Sequence, residues 1–253
     1  MKIAAAQIAV EVGESEANLE QHYRMISMAA EQSVQLIAFP EMSITGYCRE
    51  EGKALAFDEH DERMNALKAL AQKHQIIIIA GAPIVLADKL FIGAFVLYPD
   101  GTQSIYTKQY LHDGEELFYD ASLDNNPIIE IGAEKISLAI CADINNPRHP
   151  QSAKQAGSTL YLPSIFYSEG GINGGHQQLM EYAKKHSLAI LMANFCGTHW
   201  GTKSGGQSAF WDQKGNLLTS LDNSEGLVVV EKKNKVWKTI SIPFEEKVTK
   251  TAH

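Results

Sequence analysis

Three side chains in this sequence are of types that could do covalent or acid–base chemistry, and each stands just past an expected strand. Cys141 follows the apolar run at 136–140 and opens Ala142-Asp-Ile-Asn-Asn-Pro147. A cysteine held at the end of a rigid strand, just before a helix start, is well placed as a nucleophile. Free backbone N–H groups nearby could bind a developing oxyanion. A small core residue would fit the same position, so placement alone leaves both readings open. Glu41 follows Pro40, just past the apolar run at 34–39. Open α/β sheets put their ligand sites beyond the carboxyl ends of strands. Lys108 directly follows the strand pattern at 103–107. Taken singly, Glu41 could equally be a surface charge and Lys108 a solvated edge residue.

The elements that must hold these residues follow from periodicity. Residues 2–8, 34–39 and 76–80 read as buried strands, and the run Ile76-Ile-Ile-Ile-Ala80 is the clearest of them. A helix opens near Ser15, its expected N-cap, and carries Leu19, Tyr23, Ile26 and Ala30 on one face. A second helix is expected over 58–74, turning Met64, Leu67, Leu70 and Ala71 inwards. Strands 90–98 and 103–107 form a hairpin about Pro99-Asp-Gly101, and strands 128–131 and 136–140 lie side by side. Beyond Cys141 come a helix at 151–156, a strand at 158–162, a mobile glycine-rich loop at 170–175 and a helix at 176–187. Strands at 188–193, 207–211, 217–220 and 226–231 close the pattern. Residues 232–253 show weak periodicity and are expected to form a tail lying against a partner subunit. No repeat or linker interrupts the chain, so 1–253 reads as one domain. The alternation implies two mixed sheets packed together with helices outside.

Composition excludes several classes. A net charge of −8, with no lysine or arginine cluster, argues against a nucleic-acid binder. The longest apolar stretch, 76–87, contains Gly81 and Pro83 and is too short to span a bilayer, so no membrane partner is expected. Three cysteines with no C-x-x-C pair, and no visible signal peptide, point to a reducing compartment and a cytoplasmic protein. Cys196 and His199 are the only close cysteine–histidine pair, without a second pair at zinc spacing; no metal is expected. The glycines at 170–175 do not fit a dinucleotide fingerprint, so no cofactor is expected either. His112 and His149 lie near the motifs in sequence, but neither stands in a cysteine-protease signature.

Three segments converge in order: Phe39-Pro-Glu41-Met-Ser-Ile-Thr-Gly-Tyr47, Tyr106-Thr-Lys108-Gln-Tyr-Leu-His112 and Ala139-Ile-Cys141-Ala-Asp143. Together they resemble the nitrilase superfamily of carbon–nitrogen hydrolases. Ile3-Ala-Ala-Ala-Gln7 and Leu191-Met-Ala-Asn194 with the following Gly205-Gly-Gln-Ser208 are similar to family elements too, so the resemblance spans 1–231. It implies an α/β fold, the four-layer α-β-β-α sandwich of the nitrilase type, usually paired as a homodimer. It also implies Cys141 as nucleophile, Glu41 as general base and Lys108 as transition-state stabiliser, with a further glutamate at Glu115 in preference to Glu116.

That chemistry would cleave a non-peptide C–N bond through a cysteine thioester, with no metal or organic cofactor. A small-molecule amide is the expected substrate; a nitrile or an N-carbamoyl compound would suit the same triad, and a non-catalytic binding protein is the alternative of another class. The backbone N–H of Ala142 is the expected second oxyanion donor. Tyr47, Tyr110, Phe166 and Asn194, in loops next to the motifs, are candidate substrate contacts. Arg148 is the one arginine near a motif that could meet a carboxylate. The sequence departs from the family where an aromatic commonly follows the cysteine and an Arg-Phe-Pro-Glu run comes soon after. Here Ala142 and Asn145-Asn-Pro-Arg-His-Pro150 stand instead.

Overall fold

The run of β-branched residues at 76–80 suits only a strand covered on both faces. It leads into β4 (Ile77–Leu86), which pairs in parallel with β2 (Leu36–Ala38); β2 pairs in parallel with β1 (Lys2–Gln7). On one side the antiparallel strands β5 (Lys89–Leu97) and β6 (Gln103–Thr107) extend the sheet, and the short β3 (Phe57–Asp58) pairs with the far end of β4. On the other side β15 (Gly226–Lys233) and β16 (Val236–Pro243) add antiparallel strands, giving the order β16-β15-β1-β2-β4-β5-β6. The second sheet contains β7 (Ile128–Ile131), β8 (Glu134–Ile140), β9 (Leu160–Ser164), β10 (Ala189–Met192), β13 (Ala209–Trp211) and β14 (Leu217–Ser220). Its order is β14-β13-β10-β9-β8-β7, and its central three strands are parallel. A small separate hairpin joins β11 (Thr198–His199) to β12 (Thr202–Lys203). The computed structural model describes residues 1–199 and 201–244.

Side-chain alternation builds the layers. In β1, Ile3 and Ala5 face the second sheet, where they meet a core that includes Ile136, Leu138, Ile140 and Leu162. Ala4 and Ala6 face outwards, onto α1 (Ser15–Glu31) and α2 (Asn65–His74), through Leu19, Met25, Ile26 and Leu67. The second sheet turns Ala139, Tyr161 and Ile190 outwards onto α3 (Arg148–Gln155) and α4 (Ile172–His186), through Ala153, Leu179 and Ala183. The result is the expected α-β-β-α sandwich. Each fully buried isoleucine or leucine in these layers contributes about 2 kcal/mol, more than an exposed ion pair gives.

Three expectations are corrected. Ser15 is the first helical residue rather than the cap: Glu14 precedes it, and no side chain caps α1. The second helix begins at Asn65, because Asp58 and Asp61 accept from the backbone N–H groups of His60 and Arg63 and hold a tight turn in place of helix. The glycine-rich segment is no mobile loop. Ile172 to Gly175 form the first turn of α4, and Gly175 lies so close to the Tyr167 ring that a Cβ there would collide with it. Within the expected tail, 236–243 pair along β15 as the edge strand, and the Trp237 ring lies tilted against Phe210 at 4.7 Å. Residues 245–253 of that expected tail lie outside the described residues. Among the described residues no helix is long and apolar enough to cross a membrane.

Candidate active site

Each candidate residue sits where a strand stops. Phe39 donates to Ile79 and extends the β2 ladder by one residue; Pro40 then ends it and Glu41 turns away. The turn is tight. Met42 adopts a left-handed φ of +50°, and its amide lies directly over Gly81 of β4, where any Cβ would collide with it. Ser43 Oγ accepts from the Gly81 N–H at 3.3 Å and bonds His22 Nε2 of α1 at 2.9 Å. Lys108 is the first residue after β6, and its N–H donates to the Ile92 carbonyl of β5 at 2.8 Å. Cys141 is the first residue after β8 and carries φ +39°. That left-handed conformation in a non-glycine residue costs on the order of 1 kcal/mol or more and persists only where the surroundings enforce it.

Asp143 does the enforcing. Its Oδ2 accepts from the N–H of Ile140 at 2.8 Å and from the Tyr106 hydroxyl at 2.6 Å. Its Oδ1 accepts from the N–H groups of Gln109 and Tyr110, both at 2.8 Å. One buried carboxylate thus ties the turn holding Cys141 to the segment on both sides of Lys108. The first sheet supplies Glu41 and Lys108, and the second supplies Cys141.

At the centre, Lys108 Nζ donates to Glu41 Oε1 at 2.7 Å and to Glu115 at 2.9 Å, all three side chains being buried. Glu115 also accepts from the Tyr47 hydroxyl and the His112 N–H, each at 2.8 Å, whereas Glu116 is exposed. Glu41 Oε2 is buried with no hydrogen-bond partner. A cavity of about 150 Å³ opens onto this group, lined by Glu41, Tyr47, Arg49, His112, Glu115, Cys141 and Phe166. Larger surface hollows lie elsewhere, one of about 680 Å³ beside Lys53 and Leu117, but none of them contains the cysteine.

Burial raises the proton affinity of Glu41; the Lys108 ammonium opposes the shift and the Glu115 charge reinforces it. Burial works against the Lys108 cation, but Glu41, Cys141 and Glu115 outweigh it and hold its pKa above the ordinary lysine value. Burial, then the Glu41 charge, pushes the Cys141 thiol well above its usual range, while Lys108 and the Phe166 backbone amide pull the other way. Both upward shifts, of Glu41 and of Cys141, favour a protonated Cys141 thiol beside a carboxyl group that gains protons readily. Cys141 itself is half-buried and is reached through the cavity.

Of the other expected contacts, Tyr47 and Phe166 line the cavity, their rings 5.8 Å apart. Tyr110 and Ala142 line an adjoining groove that shares His112 with it. Asn194 is outside the cavity lining. It accepts from the Tyr167 N–H at 2.9 Å and donates to the Gly206 carbonyl at 2.7 Å, bracing the segment after β9. Arg148 is exposed at the start of α3. Arg49 and His112 were not anticipated as wall residues. Arg49 stands two positions after Tyr47 in the same post-strand loop, which was the available signal; its Nε donates to the Tyr47 hydroxyl at 2.9 Å. Among the described residues no group of three or more histidine, cysteine, aspartate or glutamate side chains could hold a metal ion. The His199 ring bonds the Cys196 carbonyl at 2.7 Å.

A four-layer sandwich with cysteine, lysine and two glutamates brought together from several strand ends and loops of both sheets defines the structural class. The amidase from Nesterenkonia sp. AN1, solved as a cysteine-to-alanine variant in complex with butyramide, shares the fold. Its TM-score is 0.82 at 22% identity, over 96% of this chain and 91% of that one. A nitrilase of Pyrococcus abyssi is 28% identical over 230 residues, 89% of this chain and 86% of the relative. The 2-oxoglutaramate amidase of Bacillus subtilis is 22% identical over 233 residues, 90% of this chain and 89% of the relative. Residues 2–239 match the carbon–nitrogen hydrolase family, and the chain belongs to it.

Proposed function

We propose that this carbon–nitrogen hydrolase cleaves a small-molecule amide through a thioester on Cys141. The observation that carries the reading is Lys108 held between two buried carboxylates, one of which keeps an unbonded oxygen on the cavity that Cys141 shares. As the sulfur attacks the amide carbon, its proton passes to Glu41 and the carbonyl oxygen gains the negative charge. Lys108 Nζ and the backbone N–H of Ala142 bind that oxyanion. The C–N bond then breaks, and the departing amine takes the proton from Glu41. Water attacks the thioester with Glu41 again accepting the proton, which releases the acid and restores the thiol. Glu115 explains how Glu41 can change charge twice: while Glu41 is protonated, Lys108 is still paired, and no lone cation is left buried.

The amide is favoured over the nitrile or the N-carbamoyl group by two likenesses: the fold shared with an amidase that binds butyramide and the sequence relation to 2-oxoglutaramate amidase. A cavity of about 150 Å³ has the volume of about five liquid waters, which suits a short acyl chain. Arg49 on its wall supports an acyl portion carrying a negative charge. The test is ammonia release across neutral short amides, amides with a distal carboxylate, nitriles and N-carbamoyl compounds. Turnover of amides is expected, with Arg49→Met raising KM at least about tenfold for the carboxylated ones alone, the value of one charged hydrogen bond. Turnover of nitriles only would overturn the amide assignment. No turnover together with an unreactive Cys141 would favour a binding protein. A homodimer belongs to the same proposal: light scattering at twice the 27.9 kDa chain mass supports it, and one chain mass removes it.

A further inference from the structure

A second buried polar cluster lies behind the site and takes no part in the chemistry above. Tyr106 ends two residues before Lys108, and its hydroxyl donates to Asp143 Oδ2 at 2.6 Å. That hydroxyl has one proton, so its contact with His149 Nε2 at 2.9 Å has the ring donating. Nδ1 of the same ring is then the acceptor, and the Tyr161 hydroxyl of β9 donates to it at 2.7 Å. Every donor finds an acceptor in one arrangement only: Tyr161 to His149, His149 to Tyr106, Tyr106 to Asp143. His149 must be neutral and protonated on Nε2. All four side chains are buried, and the His149 ring also meets the edge of Tyr110 at 6.2 Å.

We infer that His149 is a positioning residue: by fixing the direction of the Tyr106 hydroxyl it holds Asp143, and through it Lys108 and Cys141, in reacting register. The geometry leaves little slack. Among the described residues Asp143 is the one carboxylate bonded to the backbone on both sides of the junction, next to Cys141 through Ile140 and next to Lys108 through Gln109. Without the ring donor, the Tyr106 oxygen loses the contact that holds it against Oδ2, and its bond to Asp143 is free to lengthen. His149 is not among the residues that line the cavity, and it meets the adjoining groove through the edge of Tyr110, so its loss leaves the cavity lining itself in place. Misplacement of reacting groups by about an ångström costs about 100-fold in rate.

The inference rests on Cys141 as nucleophile, and the experiment separates the two. Three variants are compared with the wild type: His149→Leu, which fills the space without hydrogen bonds; His149→Gln, which can still donate to Tyr106; and Tyr161→Phe, which removes one hydroxyl and keeps the ring. The readouts are kcat and KM on the best amide and the rate at which iodoacetamide alkylates Cys141, followed by intact mass. The expected result is a fall of about 10- to 100-fold in kcat and in alkylation rate for His149→Leu, with KM within about twofold. His149→Gln should recover most of both, and Tyr161→Phe should lie between it and the wild type. Equal losses in His149→Leu and His149→Gln, or a Tyr161→Phe variant indistinguishable from the wild type while His149→Leu fails to fold, would overturn it. So would wild-type kcat in His149→Leu. If instead Cys141→Ala keeps its activity, the nucleophile assignment has failed, whatever the His149 variants do.

Discussion

Of the three buried carboxylates at this site, Asp143 and Glu41 are treated in opposite ways. Asp143 accepts four hydrogen bonds, two on each oxygen, from three backbone N–H groups and one hydroxyl. Glu41 gives one oxygen to the Lys108 ammonium and leaves the other buried without a partner. An unsatisfied buried acceptor costs about 1–3 kcal/mol, a sum the fold avoids entirely at Asp143. The satisfied carboxylate works as a joint between two sheets. On the mechanism proposed above, the unsatisfied one keeps its oxygen for the thiol proton, and burial raises its readiness to take it.

The comparison breaks most visibly at Glu41. Glu41→Gln keeps an oxygen for Lys108 but cannot accept the thiol proton, so kcat should fall by about a thousandfold, within the range of general-base catalysis. Its melting temperature should stay within a few degrees of wild type, since Glu115 still pairs the lysine. Retention of a tenth of the activity would remove Glu41 from the mechanism. Asp143→Asn should do the reverse. Its amide faces the N–H of Ile140 with a second donor, so stability to urea should drop by about 3 kcal/mol, whatever activity survives. A loss under about 1 kcal/mol would show that the joint is not at Asp143.

A smaller effect, confined to acid, sharpens the same contrast on the far side of Glu41. His22 braces Ser43 behind Glu41, and burial depresses its pKa from 6.5 to about 4. Between those values the unfolded chain binds the proton and the folded chain does not. Stability present above pH 6.5 is therefore lost as the pH falls through the window towards 4, by up to on the order of 3 kcal/mol. Urea unfolding across pH 4 to 7 should show this slope, and His22→Gln should flatten it. An unchanged slope in that variant would assign the acid sensitivity to other groups.

How much of this was legible depends on how local each signal is. Glu41 and Cys141 each follow a strand whose apolar run is plain, and Lys108 follows the second strand of a hairpin marked by Pro99-Asp-Gly101, so their places at strand ends could be read directly. The layers were legible for the same reason, because Ile76 to Ala80 admits few alternatives. Preferring Glu115 to Glu116 needed the resemblance; the structure buries the first on Lys108 and exposes the second. The His149 relay was illegible, since its partners are 12 and 43 residues away in sequence and meet only once β6, β9 and α3 are packed. Glycines misled at 170–175, where packing requires one only at Gly175, whose side-chain space the Tyr167 ring fills on the first turn of α4. β16 hid because an edge strand with Val236 and Ile240 exposed lacks clean alternation.

The central claim is that Cys141 carries the acyl group. Rapid quenching during turnover of a slow amide, followed by intact-mass measurement and peptide mapping, tests it most directly. The account predicts one adduct of acyl mass on Cys141 in the wild type, none on the buried Cys48 or Cys196, and neither adduct nor ammonia release in folded Cys141→Ala. An adduct on another residue, or normal turnover by Cys141→Ala, would contradict it.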